Sequence, residues 1–210
     1  MQSLHVIHLN DSGDDKSIDA ISLRLNGLER HELNMVPWSA YAYKPKVHFS
    51  IAHNNKNIFL KYYVTETSIR ANASKINGSV WEDSCVEFFI SFDDQGYYNL
   101  EFNCIGTALV GFGPERSGRV LLAEELIKKI RFETSIKNKD DQFQWELVLV
   151  VPTEIFRRHS ISSLKDITAR ANFYKCGDAL PRPHFISWAP IEAQSPNFHL
   201  PQFFGMLVFE

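Results

Sequence analysis

Two tryptophans and two glutamates carry the spacing in this chain that most invites chemistry. Trp81 opens the run Val-Trp-Glu-Asp-Ser-Cys-Val-Glu-Phe-Phe-Ile-Ser-Phe at 80–92, and Glu87 follows it within the same run. Glu101 lies in the next segment, and Trp188 ends His-Phe-Ile-Ser-Trp in a proline-flanked region, a loop-like context shared by Trp38. An indole offers a flat apolar face to the C–H face of a sugar ring, while carboxylates, amides and guanidinium groups bond its hydroxyls around the rim. Trp81 and Trp188 with Glu87, Glu101, Asn103, Arg170 and Asn172 supply both kinds of contact. The same residues permit two other uses. Glu87 and Glu101 could act as the acid and base of a glycan hydrolase, and exposed rings could meet a protein partner.

Strands must position these groups, because side chains on a strand point to opposite faces in turn. In 80–92, Val86, Phe88, Ile90 and Phe92 share one face, and Cys85, Glu87, Phe89 and Ser91 share the other. Asp93-Asp94-Gln95-Gly96 turns the chain into 97–104, where Tyr98, Leu100, Phe102 and Cys104 oppose Tyr97, Asn99, Glu101 and Asn103. Paired residues share a face, so the two numbers of each pair must add to an even total, and a short loop makes that total about 188 or 190. Glu87 then faces Glu101 or Asn103. Two carboxylates opposed across a ladder repel unless a cation, a cationic side chain or a hydrogen-bonding ligand lies beside them.

The rest of the chain reads as more strands. Segments 47–52 and 58–65 form a hairpin around His-Asn-Asn-Lys-Asn, and further strands are expected at 107–112, 130–136, 143–151, 167–176 and 203–209. Trp145 shares the parity of Leu147 and Leu149 and belongs to the core. A short helix follows Ser17, with Ile18, Ile21 and Leu25 at helical spacing and Gly27 as its stop. Segment 120–127 fits a helix or a strand equally, and 152–160 fits one or two helical turns. Regularly spaced short strands with brief peripheral helices predict an all-β fold, an antiparallel β-sandwich of immunoglobulin or jelly-roll type, as a single domain over 1–210.

Composition narrows the function classes. With 22 Lys and Arg against 25 Asp and Glu, the chain has no basic stripe of the kind nucleic acid requires. No apolar run approaches the ~20 residues of a membrane span. There is no glycine-rich phosphate loop and no Gly-x-Ser-x-Gly elbow, and the eight histidines are scattered singly. Cys85, Cys104 and Cys176 lack Cys-x-x-Cys spacing and are expected as free thiols, Cys85 outward and Cys104 inward. The N-terminus carries no secretory pattern, which fits a cytoplasmic protein if Met1 is the native start, or a periplasmic or secreted one whose signal was removed.

The run at 80–92, with Ile-Ser-Trp-Ala-Pro at 186–190 and Asn-Phe-His-Leu-Pro-Gln-Phe-Phe-Gly-Met-Leu at 197–207, resembles carbohydrate-binding module family 9, closest to the stand-alone members of Bacteroides-type bacteria. The resemblance covers the chain from about Trp38 onward. It implies a β-sandwich that binds an oligo- or polysaccharide by clamping a ring between Trp81 and Trp188, with Glu87 bonding hydroxyls. It also implies a structural calcium, for which Asp83, Asp93 and Asp94 are the candidate ligands. Where sugar-binding members carry an Arg on the strand after the organising one, this chain carries Glu101.

Overall fold

Val86, Phe88 and Ile90 meet Leu100, Phe102, Trp145, Leu147 and Phe173 in one core between two sheets. The computed structural model describes residues 2–10 and 17–210. In chain order its elements are β1 (Ser3–His8), α1 (Ile18–Asn26), β2 (His31–Glu32), β3 (Lys46–His53), β4 (Asn57–Glu66), β5 (Cys85–Ser91), β6 (Tyr97–Asn103), β7 (Ala108–Gly113), β8 (Val120–Leu121), α2 (Glu124–Ile127), β9 (Arg131–Lys139), β10 (Gln142–Pro152), β11 (Thr168–Cys176), β12 (Phe185–Ser187) and β13 (Gly205–Phe209). One sheet runs β8-β7-β6-β5-β11-β13 and the other β3-β4-β10-β9, with β1 joining them.

This is the all-β sandwich the alternation predicts, with one departure from a purely antiparallel pattern. β1, in a segment whose sequence suggests no strand, pairs in parallel with both β13 and β3. Its central Val6 is buried and its other side chains are largely exposed, so the alternation that marks a half-buried strand is weak there. Among the described residues, no helix is long and apolar enough to cross a membrane.

Local chemistry accounts for the smaller elements. Ser17 Oγ accepts a hydrogen bond from the Ala20 amide and caps α1, and Gly27 ends it. Ile21 and Leu25 then pack on Ala52, Phe59, Val148 and Val150 across the outer face of β3, β4 and β10. Segment 120–127 contains both, β8 at its first two residues and α2 at its last four, so each of its two readings holds for part of it. β9 alternates as expected and pairs Phe132 with Leu149 and Ile136 with Trp145. At the sheet edge Phe132 stays 46% and Ile136 42% exposed, although the Phe132 ring packs against Gly106 of the β6–β7 turn.

The outer face of β5, β6 and β11 is covered as well. Trp38 and a loop carrying Ile191, Phe198 and Phe204 pack on Phe89, Tyr97 and Tyr174, forming a second apolar cluster. Every residue of β5 and β6 is therefore buried, including those that parity assigns to the outer face. One part of that face stays open, at the end of β5 nearest Trp81.

Candidate functional site

The open part is a cavity of about 450 Å³ whose lining includes Trp81, Glu87, Glu101, Asn99, Cys176 and His199. That volume lies within the ~300–1,000 Å³ range of small-molecule sites. The register that builds its floor is the 188 solution: Glu87 pairs with Glu101, and Phe88 with Leu100. On the other side Glu87 pairs with Tyr174 of β11. Gly111 of β7 pairs with Asn99, and a Cβ at Gly111 would lie 2.9 Å from Asn99 Oδ1, so glycine leaves room for that amide.

Trp81 stands on a 3-10 turn, Val80–Glu82, that is tied down at both ends. Val80 is buried, the Trp81 carbonyl accepts from the Asp178 amide at 3.1 Å, and the Glu82 carbonyl accepts from the Ala179 amide at 3.1 Å. Asp83 completes the anchor. Its carboxylate accepts from the Asn72 and Ala73 amides at 3.0 and 2.9 Å and from Asn103 Nδ2 at 2.9 Å, with Arg70 Nε at 3.2 Å. Asp83 and Asn103 therefore hold the turn that presents Trp81, and neither lines the cavity. Trp81 itself remains 37% exposed on the cavity wall.

Burial governs the two carboxyl groups on the floor, each of which is 4% exposed. Desolvation pushes Glu101 up to about 7, against the hydrogen bond from Asn99 Nδ2 at 2.9 Å and the positive charge of Arg119, which both favour ionisation. Desolvation raises Glu87 well above the ordinary carboxyl range, reinforced by Cys176 and by the facing Glu101. The Cys176 thiol donates to Glu87 Oε1 at 3.1 Å. Burial holds His199 down to about 3, helped by Arg119 and Arg116, so its imidazole is neutral. Its Nδ1 is hydrogen-bonded to the Tyr97 hydroxyl at 2.9 Å.

Arg119 is the residue of this site that strand parity does not reveal. Its Nε donates to Asn99 Oδ1 at 2.8 Å, and its terminal nitrogens donate to the carbonyls of Gly113, Glu115 and Tyr97. The guanidinium also lies over the Tyr97 ring, 4.2 Å from its centre. It thus pins the 113–119 loop to β6 and places a cation beside Glu101. This is the neighbour that two opposed carboxyls require, and it arrives from a loop. Its one signal in the sequence is the glycine-framed loop in which Arg116 and Arg119 lie.

The remaining candidate residues lie elsewhere. Trp188 is 3% exposed and turns its indole into the main core, edge-on to Phe49 and Phe173 at 6.3 and 5.6 Å between ring centres. The ending motif of the sequence explains why. Ile186 and Trp188 share a parity, Ile186 pairs with the inward Lys175, and a Cβ at Gly205 would lie 2.5 Å from Trp188 Cζ3. Glycine at 205 is the space into which the indole packs, so no clamp forms between Trp81 and Trp188. Phe185, of opposite parity, lines the cavity instead. Asn172 is fully buried and bonds the Ala189 backbone through both ends of its amide, which fixes the Trp188 turn. Arg170 pairs with Ser91, four residues along β5 from Glu87 and so roughly 13 Å away, where its guanidinium meets Asp94 at 3.0 Å.

The three acids named for calcium do not form a common ligand set. Asp83 is saturated by protein donors, Asp93 faces His159 at 3.0 Å and accepts from the Gln95 amide, and Asp94 faces Arg170. Hard cations need several converging oxygens with free lone pairs, and this arrangement does not fit one. The cysteines match their expected faces: all three are free and buried, Cys85 in the outer cluster and Cys104 in the main core.

Comparison with known proteins adds three findings. The profile of carbohydrate-binding family 9 matches residues 18–209. A crystal structure of a Bacteroides uniformis protein, whose carbohydrate-binding role is itself provisional, aligns over 100% of this chain and 99% of its own, with 42% identity and a TM-score of 0.93. Two structures of a family 9 module from Caldicellulosiruptor kristjanssonii, in complex with glucose and with cellotriose, align over 100% of this chain and 96% and 94% of theirs. Their TM-scores are 0.61 at 12% and 13% identity, which is a likeness of fold. No match arises among curated proteins.

Proposed function

Because this chain belongs to carbohydrate-binding family 9, we propose that it binds a saccharide, without cleaving it, in the cavity walled by Trp81. The observation that carries this reading is a half-open indole above a buried polar floor. Trp81 is the one cavity-lining tryptophan among the described residues, and its face suits the C–H surface of a pyranose ring. Below it, Glu87, Glu101 and Asn99 offer hydroxyl-bonding oxygens and an amide whose orientations are set before any ligand arrives. Preorganisation of that kind lowers the ordering cost of binding. Phe185 and Phe198 supply further apolar wall, and Arg116 and Asp178 supply a charged rim.

The glucose and cellotriose held by the Caldicellulosiruptor modules support a gluco-configured ligand as the first class to try. The site differs from a two-sided clamp, since the ring opposite Trp81 is not Trp188. Binding by one stacked face and a polar floor is the expected mode.

The test is retention on a glycan array followed by titration calorimetry with the best oligosaccharide. Trp81→Ala is expected to abolish binding, and Glu87→Gln to weaken it. Unchanged affinity in Trp81→Ala would place the site elsewhere. Release of shorter products from that oligosaccharide, lost in Glu101→Gln, would replace binding with hydrolysis.

A further inference from the structure

Beneath Trp81 lies a group of side chains in which Glu87 sits against two cysteines that the saccharide reading leaves without a role. Cys85 and Cys176 are directly opposed in the β5–β11 ladder and share its outer face. Glu87, two residues along β5, is on the same face, and its Oε1 lies 3.1 Å from Cys176 Sγ. The two sulfurs and a Glu87 oxygen all lie within 4.8 Å of one another. All three residues are buried, yet Glu87 and Cys176 line the cavity, so one side of the group is open to it.

From this geometry we infer that Cys85, Cys176 and Glu87 form a binding site for a thiophilic divalent cation of the Zn²⁺ type, with its fourth position facing the cavity. Two thiolates and one carboxylate are the donors such an ion takes, at about 2.3 Å to sulfur and about 2.0–2.2 Å to oxygen. Tetrahedral placement then sets ligand atoms on the order of 3.5–3.8 Å apart. Adjustments of under about an ångström per atom would reach that spacing here, and rotation about one or two side-chain bonds supplies them. Three protein ligands with an open position is the pattern of accessible zinc sites, whereas hard cations such as Ca²⁺ avoid sulfur.

Charge gives a second reason. Cys85, Cys176 and Glu87 can each become anionic, and among the described residues no cationic side chain is hydrogen-bonded or ion-paired to any of them. Lys175, their neighbour on β11, points into the core and pairs with Glu66 at 3.0 Å. Arg119 spends its donors on Asn99 and on backbone carbonyls. A divalent cation would displace the two thiol protons and the carboxyl proton into solvent and take the three lone pairs in their place. The site shares Glu87 and the cavity with the saccharide reading but needs no sugar, so its test is run without one.

The experiment uses the whole chain, freed of metal by a chelator and kept under a phosphine reductant, with Co²⁺ as an optical stand-in for Zn²⁺. One equivalent should bind with release of protons and give the near-ultraviolet charge-transfer absorption of thiolate-bound cobalt, and Zn²⁺ should then displace it without further proton release. Cys176→Ser should remove the absorption, and Glu87→Gln should weaken binding by a factor on the order of ten or more. Absence of the charge-transfer band in the reduced wild type overturns the inference. So does a band that persists in both Cys85→Ser and Cys176→Ser, which would assign the metal to Cys104. If a serine variant fails to fold, alkylation of the wild type decides: Zn²⁺ must protect Cys85 and Cys176 and leave the rate at Cys104 unchanged.

Discussion

Replacing Glu101 by Gln should make this protein more stable at neutral and alkaline pH, although it alters a fully buried, hydrogen-bonded residue of the cavity floor. Glu101 has an ordinary value of 4.5 and is pushed to about 7 in the fold, chiefly by desolvation. Its folded value is raised, so the native state holds a proton that the unfolded chain has already released between those limits. Stability from this group is complete below about pH 4.5 and is lost as pH rises through about 7. The interval is about 2.5 units at 1.36 kcal/mol each, so ionised Glu101 costs the native state about 3 kcal/mol by pH 8. Gln cannot ionise, and its carbonyl can still accept the bond that Asn99 Nδ2 gives to Glu101 Oε1. Denaturant unfolding of both proteins in chelator, from pH 4 to 8, should give curves that run together near pH 4 and separate by up to about 3 kcal/mol at pH 8. At roughly 2–4 °C per kcal/mol for a chain of this size, Tm should rise by about 6–12 °C at the alkaline end. Taking the difference between the proteins cancels the histidines that titrate in the same window. Parallel curves across the range would refute the reasoning, because they would mean that Glu101 ionises in the fold as it does in water.

Further expectations separate the residues that build the fold from those that meet a ligand. Trp81→Ala should change stability by less than about 1 kcal/mol, whereas Trp188→Ala should cost about 3–5 kcal/mol by opening a cavity beside Phe49 and Phe173; thermal melts of both variants show the contrast. Gly205→Ala should destabilise by about 1–3 kcal/mol, since its Cβ would meet the Trp188 ring. Adding Trp188→Phe should recover part of that loss in a double-mutant cycle, which strict additivity would contradict. Lys175→Met should cost about 3–5 kcal/mol by leaving Glu66 charged and unpaired in the core. Glu66→Gln in the same chain should restore much of it, because the Trp145 indole N–H, 2.7 Å from Glu66 Oε1, can still donate to the amide; denaturation of the pair at neutral pH measures both effects.

The comparison of sequence with structure turns on what alternation can and cannot say. Parity along β5 and β6, with a short loop, was enough to oppose Glu87 to Glu101 and to send Val86, Phe88, Leu100 and Phe102 inward. These are local consequences of a two-residue period and a closed hairpin. Ser17 and Gly27 likewise mark the ends of α1 through hydrogen bonds within a few residues. Alternation also held the true direction of Trp188, once Phe185–Ser187 is recognised as a strand. The prolines around it conceal that strand.

Tertiary structure decided everything that depends on what covers a face. The sequence by itself determined that Cys85, Glu87, Phe89 and Ser91 look away from the main core. It did not determine that the loop bearing Phe198 and Phe204 folds over Phe89 and leaves Glu87 at the base of a cavity. It did not place Arg119 beside Glu101, since that contact joins a loop to a strand whose register fixes only its own neighbours. Nor did it show that β1 links the two sheets in parallel, or that β9 lies at an edge with its apolar face half exposed. The physical reason is common to all of these. A strand's period assigns a side chain to one of two faces, and only the packing of distant segments determines whether that face meets core, solvent or a ligand. For Trp81 and Trp188, two tryptophans alike in their sequence surroundings, that packing sends one to the wall of a cavity and the other into the core.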